Sequence, residues 1–418
     1  MGVKGVKEYF EKDLRYFYFI EDNIREVVGK LGYEEFRPSI LAEESTFYRG
    51  MGEGSDIVVN KEMFYISDEE KKIVLRPEFT PLVAKTYVER GFAKTNPLWK
   101  LFYIGPCFRR ERPQKGRLRE FHQAGIEIVG DKNIVFTFEL LLALKIIFSK
   151  LCIDNYTLSI NSLGCFKKCR GNYLDYLKKE LANKISNLCG ICQERLKRNP
   201  LRILDCKKPV CKELLRKEIK PIRDFLCHDC NKDKSTLFNL LKENGISYIE
   251  NEYLVRGFDY YTGIVFEYTH TALGAQDAFC GGGRYDNLLL EFGENQPRGA
   301  VGCGLGIERT ILILQQLKVN IERKSKPMVY IAFSDIELLK KNSELIEKLL
   351  NNDFCTFSDY SKSSLKAHLR RAENVGADYT IILLQEDKKE KIICRRMRDG
   401  YQVECTLTEV IRCLDTLK

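Results

Sequence analysis

Nowhere does this chain approach the ~20 uninterrupted apolar residues that a membrane-crossing helix needs, so a spanning segment is not expected. The opening run MGVKGVKEYFEKDLRYFYF scatters charge among its apolar residues and has no small-residue cleavage site, which argues against a secretory signal. Internal repeats and low-complexity tracts are also missing. Histidine is scarce, with four residues, and the chemistry described below calls on none of them. His122 should point away from its neighbour Gln123, and His228 could serve at most as an occasional ligand between Cys227 and Cys230. A large net charge is absent too: 68 Lys and Arg against 59 Asp and Glu leave +9. With 44% hydrophobic and 30% charged residues, a soluble, globular, cytoplasmic protein is expected. At 418 residues the chain exceeds a single core and suggests two domains plus an insertion.

Cysteine, by contrast, is abundant. Sixteen residues without a secretory signal point to reduced thiols or metal ligands rather than disulfides. Eight of them form four close pairs: Cys165/Cys169, Cys189/Cys192, Cys206/Cys211 and Cys227/Cys230. Two pairs have the CxxC spacing that lets both sulfurs reach one tetrahedral ion, so up to two four-thiolate zinc sites could form. Small buried residues are the alternative. Cys107, Cys280, Cys303 and Cys394 sit in apolar runs and read as core.

The same segment carries the charge. From Cys165 to Cys230 there are 17 Lys and Arg against 8 Asp and Glu, a surplus of 9 that equals the excess of the whole chain, whereas residues 328–418 hold 15 of each. Such a patch either faces a polyanion or is simply solvated. Two Zn²⁺ on eight thiolates would lower it by four, to about +5, still basic.

A charged, apolar-poor stretch from Val319 to Pro327 marks a boundary. Beyond it, MVYIAF, a helical run from Ile336 to Leu350, FCTFSD, a second helical run from Ser363 to Asn374 and DYTIILL predict a small α/β domain over 327–418 with a largely parallel sheet. Before it, LFYIGPCFRR, REFHQAGIEIV and GIVFEYTH are joined by polar turns, which predicts a mostly antiparallel sheet over 1–318 with an insertion at about 165–240. The fold class expected is α+β: an antiparallel sheet with flanking helices, a helical Cys-rich insertion and a C-terminal α/β domain.

Four constellations stand out in that first region. In LFYIGPCFRRERPQKGRLREFHQAGIEIVG, two strand-like runs flank an arginine-dense loop from Arg109 to Arg119, whose guanidinium forks suit phosphates and carboxylates. Gln123 and Glu127, four apart on the second strand, share one face as ligand groups would. In LRPEFTPLVAK, alternation puts Arg76, Glu78 and Thr80 on one face, where Glu78 could accept from an amine or pair with Arg76. NEYLVRGFDYYTGIVFEYTH gathers Arg256, Asp259, Tyr260 and Tyr261 around a glycine, suited to a flat polar heterocycle or to an ordinary buried tyrosine pair. Finally, CGGGRYDNLLLEF and RGAVGCGLGIERTILIL combine glycines that permit close approach with Arg309 at the start of an apolar helix, a charge that calls for an anion.

Taken in order, these segments resemble class II aminoacyl-tRNA synthetases and, among them, histidyl-tRNA synthetases. FRRERPQKGRLREFHQ is similar to the second class motif, LVRGFDYY and GGRYDNL to the two histidine-specific signatures, and GLGIERT to the third class motif. The tail resembles the family's anticodon-binding domain. GYEEFRPSILAEE departs from the first class motif, with Pro38 one place early and Ser39 where proline is expected, which puts the register of a dimer-building segment in question. The resemblance implies a homodimer that joins L-histidine to tRNA(His) through histidyl-adenylate, using ATP and Mg²⁺. It also implies roles. Arg109 would contact the α-phosphate and the substrate carboxylate, Glu111 the adenine, Arg309 the γ-phosphate, and Arg256 the charge building on the α-phosphate. Glu78, Thr80 and Gln123 would hold the α-amino group, Glu127, Tyr260 and Tyr261 would complete the histidine pocket around the imidazole, and Arg112 and Arg119 would face tRNA. A regulatory paralogue, the rival reading, would be expected to lose Arg109, Arg256, Arg309 and the tail; all are present.

Overall fold

Alternation of side chains along two long strands sets the architecture. The computed structural model describes residues 2–52, 55–59, 62–66, 72–321, 326–361, 364–386 and 389–417, and the chain divides into two compact units, Met1–Ile321 and Glu322–Lys418. In chain order the strands of the first unit are β1 (Glu34–Glu35), β2 (Leu41–Glu43), β3 (Phe64–Ile66), β4 (Ile73–Leu75), β5 (Trp99–Phe108), β6 (Glu120–Val129), β7 (Thr157–Ser162), β8 (Ile249–Glu250), β9 (Thr262–Thr269), β10 (Ala278–Arg284) and β11 (Ala300–Gly306). Eight make one sheet in the order β1-β5-β6-β11-β10-β9-β7-β8, and β2-β4-β3 form a small second sheet. From β5 to β7 every neighbour in the large sheet is antiparallel; only the two-residue edges β1 and β8 pair parallel.

Ala124, Ile126 and Ile128 of β6 point to one face and join the core with the helices Glu11–Lys30, Val135–Lys150 and Ile307–Gln316. Gln123, Gly125 and Glu127 therefore lie on the other face. No helix of the described residues is long and apolar enough to cross a membrane.

The insertion between β7 and β8 is helical: a π-helical turn at Phe166–Arg170 is followed by helices Gly171–Ala182, Gly190–Arg198, Pro209–Glu218 and His228–Glu243. Its leucines and buried thiols, among them Leu177, Leu181, Cys192, Cys211 and Leu215, pack with Val265 and Tyr285 of the sheet's open face.

In the second unit the order β13 (Cys355–Phe357), β12 (Met328–Phe333), β14 (Tyr379–Glu386), β15 (Lys389–Arg396), β16 (Gln402–Cys405) is parallel only across β13-β12-β14. The expectation of a largely parallel sheet is corrected for β15 and β16, which pair antiparallel as a meander. The helical run from Ile336 is also two helices, Ile336–Lys341 and Glu344–Asn351, divided where the Asn342 side chain turns back to the Leu338 carbonyl at 2.8 Å.

The centre of the large sheet is built on glycine. A Cβ at Gly282 would lie 2.0 Å from the Gly302 carbonyl oxygen and 2.7 Å from Cys303 Cα, both backbone atoms that cannot swing away. Gly282→Ala is expected to cost at least the ~1–3 kcal/mol of an overpacked core, read as a lower denaturant midpoint; an unchanged midpoint would show that the strands can separate freely here.

Candidate active site

The face of the sheet turned away from the helices Glu11–Lys30, Val135–Lys150 and Ile307–Gln316 floors a cleft of about 600 Å³. Glu78, Thr80, Arg109, Glu111, Gln123, Arg256, Tyr260, Tyr261 and Arg309, predicted from separate stretches of sequence, all line it. Glu127 lies beneath this floor rather than in the lining and is 1% exposed. Its Oε1 accepts the hydroxyls of Thr80 and Tyr103, each at 2.9 Å, and its Oε2 accepts that of Tyr285 at 2.7 Å. Glycines make the space: a Cβ on Gly302 would fall 1.3 Å from Glu127 Oε2, one on Gly304 2.6 Å from Gln123 Nε2, and one on Gly281 2.6 Å from the Arg256 guanidinium. The glycine-rich segments thus admit ligand-facing side chains into the middle of a sheet.

Two buried carboxyls sit at this end of the cleft. Burial pushes Glu78 up to about 8 against the pull of Arg109 and the Tyr260 hydroxyl, and burial pushes Glu127 up to about 7 against its three hydroxyl donors. Glu78 Oε2 accepts from Tyr260 at 3.1 Å, while Oε1 is buried with no partner, a vacancy of the right chemistry for an ammonium group. The alternation from Arg76 to Thr80 does not form a strand, because β4 ends at Leu75 and Thr80 opens the helix Thr80–Glu89, whose first turn carries Pro81. Arg76 turns away from Glu78: its guanidinium donates to the carbonyls of Pro106 and Pro38 at 2.8 and 2.6 Å, and so anchors the loop that bears the displaced proline.

The other end is cationic. Arg109 donates to the Pro77 carbonyl at 2.9 Å and stacks over Phe121. Arg256 pairs with Glu267 at 2.5 Å, and its buried Nε is unpartnered. Arg309 donates to the carbonyls of Gly116, at 2.8 Å, and of Ala278. It stands in the first turn of the apolar helix Ile307–Gln316, as expected, and is only partly buried, a guanidinium at the cleft wall. Burial and the neighbouring Arg109 and Arg117 both depress its pKa, the signature of cations gathered without enough counter-charge.

Glu111 is buried and paired with Arg117. Arg112 is exposed outside the cleft. Arg119 donates to the carbonyls of Glu111 and Lys4 at 3.2 and 3.3 Å, tying the N-terminal segment to the loop. His122 faces away from the cleft and pairs with Glu308 at 2.9 Å.

Several participants were not singled out from sequence. Tyr103 and Tyr285 hold Glu127, Glu267 balances Arg256, and Arg117 balances Glu111. For Tyr285 and Glu267 a signal existed, since both stand in segments already marked by their glycines and aromatics; Tyr103 reads as an ordinary core residue.

The thiols assemble as two groups: Cys165, Cys169, Cys227 and Cys230, and Cys189, Cys192, Cys206 and Cys211. In each, the four sulfurs lie within 4.8 Å of one another. Tetrahedral zinc with 2.3 Å bonds sets sulfurs ~3.8 Å apart, and the Cys165–Cys169 and Cys189–Cys206 separations are 3.5 and 3.8 Å. Backbone N–H groups of Cys165, Cys189 and Cys227 point at the sulfurs of Cys230, Cys211 and Cys169.

An antiparallel sheet whose open face joins an arginine cluster to a carboxylate pocket defines a class II aminoacyl-tRNA synthetase. A family model described as histidyl-tRNA synthetase matches residues 5–193 and 211–310, and one described as an anticodon binding domain matches 328–417. The chain is similar to the histidine–tRNA ligase of Thermodesulfovibrio yellowstonii, 42% identical over 414 residues that cover 99% of this chain and 97% of that protein. The structure of apo S. aureus histidyl-tRNA synthetase is similar at a TM-score of 0.80 and 27% identity, covering 99% of both chains. A Bacillus halodurans protein described as an ATP phosphoribosyltransferase regulatory subunit/histidyl-tRNA synthetase shares the fold at a TM-score of 0.64 and 20% identity, over 91% of this chain and 97% of its own. The chain belongs to the histidyl-tRNA synthetase family.

The raised carboxyls give the unliganded protein a defined pH response. A carboxyl whose native pKa exceeds its unfolded value stabilises the fold fully below the unfolded pKa of about 4.5; that contribution is lost as pH rises through the native value, near 8 for Glu78. Denaturant unfolding of wild type and Glu78→Gln at pH 5.5, 6.5 and 7.5 should show the variant declining less with pH. Parallel declines would mean that Glu78 titrates normally.

Proposed function

We propose that the chain ligates L-histidine to tRNA(His) through histidyl-adenylate, with the unpartnered Glu78 oxygen beside the arginine cluster as the observation that carries the reading. Glu78 receives the α-ammonium group, joined by Thr80 and Gln123. Tyr260 and Tyr261 present the polar rim that reads the imidazole, and Glu127, expected there too, instead lies beneath the floor and holds Thr80 and Tyr285 in place. A site built around both ring nitrogens rejects amino acids that leave its buried polar groups unpaired. Arg109 bridges the substrate carboxylate and the ATP α-phosphate, Glu111 meets the adenine and Arg309 the γ-phosphate. Arg256 stabilises the charge that grows on the α-phosphate as the histidine carboxylate attacks. Mg²⁺ arriving with ATP would shield the phosphate charge; Glu267 and Glu308, which line the cleft and pair with Arg256 and His122, are the carboxylates that would hold it. No side chain acts as a nucleophile; positioning and fixed charge do the work.

The regulatory-subunit reading shares the fold, but the retained arginines Arg109, Arg256 and Arg309 favour the ligase. A homodimer is supported by apolar exposure around the small sheet, where Ile40, Leu41, Tyr65 and Ile66 are each more than a third exposed. The basic insertion and the arginine loop, with Arg112 and Arg119, offer the polyanion surface for the tRNA acceptor arm. The site of action is the cytoplasm. Structural zinc in both four-thiolate groups fits the sulfur separations.

ATP–pyrophosphate exchange, run with each of the twenty amino acids in turn, should proceed with histidine alone. Absence of exchange in a folded protein that still binds histidine would move the reading to the regulatory subunit. Arg256→Ala should slow single-turnover adenylate formation by ~100-fold or more, the range for a lost transition-state donor, while ATP affinity changes little; a near-normal rate would remove Arg256 from that role. Elemental analysis should find two zinc ions per chain, and none would leave the insertion held by packing alone.

A further inference from the structure

The family match skips residues 194–210, yet this part of the chain reaches the cleft: Arg202 and Lys207 line it. Both thiolate groups also lead to a single residue. Arg170 directly follows Cys169, and its N–H bonds the Cys165 carbonyl at 3.0 Å. Its guanidinium is 7% exposed and donates to the backbone carbonyls of Asp259 and Tyr261 at 2.6 and 3.1 Å, on either side of Tyr260. Asn199 lies between Cys192 and Cys206, is 8% exposed, and donates its side-chain amide to the Asp259 carboxylate. From the opposite side the Asp259 N–H reaches the Met51 carbonyl at 3.1 Å, and Gly52, at φ 82°, leaves room that a Cβ 2.8 Å from Asp259 Cβ would close. Asp259 is thus fixed on all sides, and Tyr260 beside it delivers its hydroxyl to Glu78.

We propose that the cysteine-rich insertion is a positioning device for the amino-acid pocket: its two thiolate groups fix Arg170 and Asn199, which grip Asp259 and so set Tyr260 against Glu78. The inference rests on the pocket and zinc readings above, and it assigns Arg170 and Asn199 as positioning residues rather than catalytic ones. It predicts that disturbing the insertion weakens histidine binding while ATP binding, carried by other elements, is spared.

The test measures zinc content, histidine binding by equilibrium dialysis without ATP, and KM for histidine and for ATP. Arg170→Ala should keep two zinc ions, raise the histidine Kd and KM by ~10-fold or more, as the loss of a charge-assisted hydrogen bond implies, and leave the ATP KM within about twofold. Arg170→Lys should recover part of the loss, because an ammonium can still reach one carbonyl. Cys230→Ser and Cys211→Ser should each lose one zinc ion and reproduce the histidine defect. Unchanged histidine binding in Arg170→Ala, or an equal rise in both KM values, overturns the proposal. Absence of zinc from wild type, with Arg170→Ala still defective for histidine, removes the metal and leaves the grip on Asp259 standing. Should a cysteine variant fail to fold, the Arg170 pair decides the matter.

Discussion

The Glu127 carboxyl lies in the middle of a β-sheet, cut off from water, with three hydroxyl groups turned toward it. A charge placed there is costly unless it is paired or hydrogen-bonded, and the surrounding sequence is shaped by that cost. Tyr103 reaches it across Gly125, where a Cβ would strike the tyrosine ring at 2.2 Å. Thr80 reaches it from the first turn of a helix, and Gly302 leaves the volume the carboxyl fills. None of these residues could change size without disturbing the others. This mutual dependence explains why a strand centre, normally a place for β-branched residues, carries glycine instead.

Because this floor is rigid and polar, the cleft can keep two opposed fields close together. Raised carboxyls occupy one end, and Arg109, Arg117, Arg256 and Arg309 occupy the other, where Glu111 and Glu267 are the paired counter-charges among the described residues. Arg109 and Arg309 are held by the backbone carbonyls of Pro77, Gly116 and Ala278, and Arg117 and Arg256 by carboxylates, so their positions do not depend on an arriving anion. A ligand with an ammonium at one end and a phosphate-bound carboxylate at the other would meet both fields already in place, which is the arrangement that lowers a barrier without reorganisation at the moment of reaction.

Sequence carried this far wherever a physical period was intact. Gln123 and Glu127 share a face because β6 is a regular strand, and the arginine loop was visible as charge between two apolar runs. The reading of Arg76, Glu78 and Thr80 reached a carboxylate that lines the cleft through the wrong geometry: alternation suggested a strand, but Thr80 and Pro81 open a helix, and Glu78 enters the cleft from the turn before it. The antiparallel half of the second unit was missed because KEKIICRR mixes charge with its apolar residues. Tyr103 was invisible as a site residue because what it bonds becomes clear only when β5 and β6 are side by side.

The insertion shows a different limit. Its cysteine spacings announced possible ligands, but spacing could not say which pairs combine, and the structure joins the first pair with the last and the middle two with each other. That nesting matters for mechanics. The outer group clamps the two ends of the insertion where they leave and re-enter the sheet region, next to Arg170, while the inner group closes the loop that carries Asn199. A small helical module gains rigidity from such cross-links in addition to its own packing. Here they lie one residue from Arg170 in the outer group and span Asn199 in the inner one, so rigidity made in the insertion is delivered to the pocket wall over a short path.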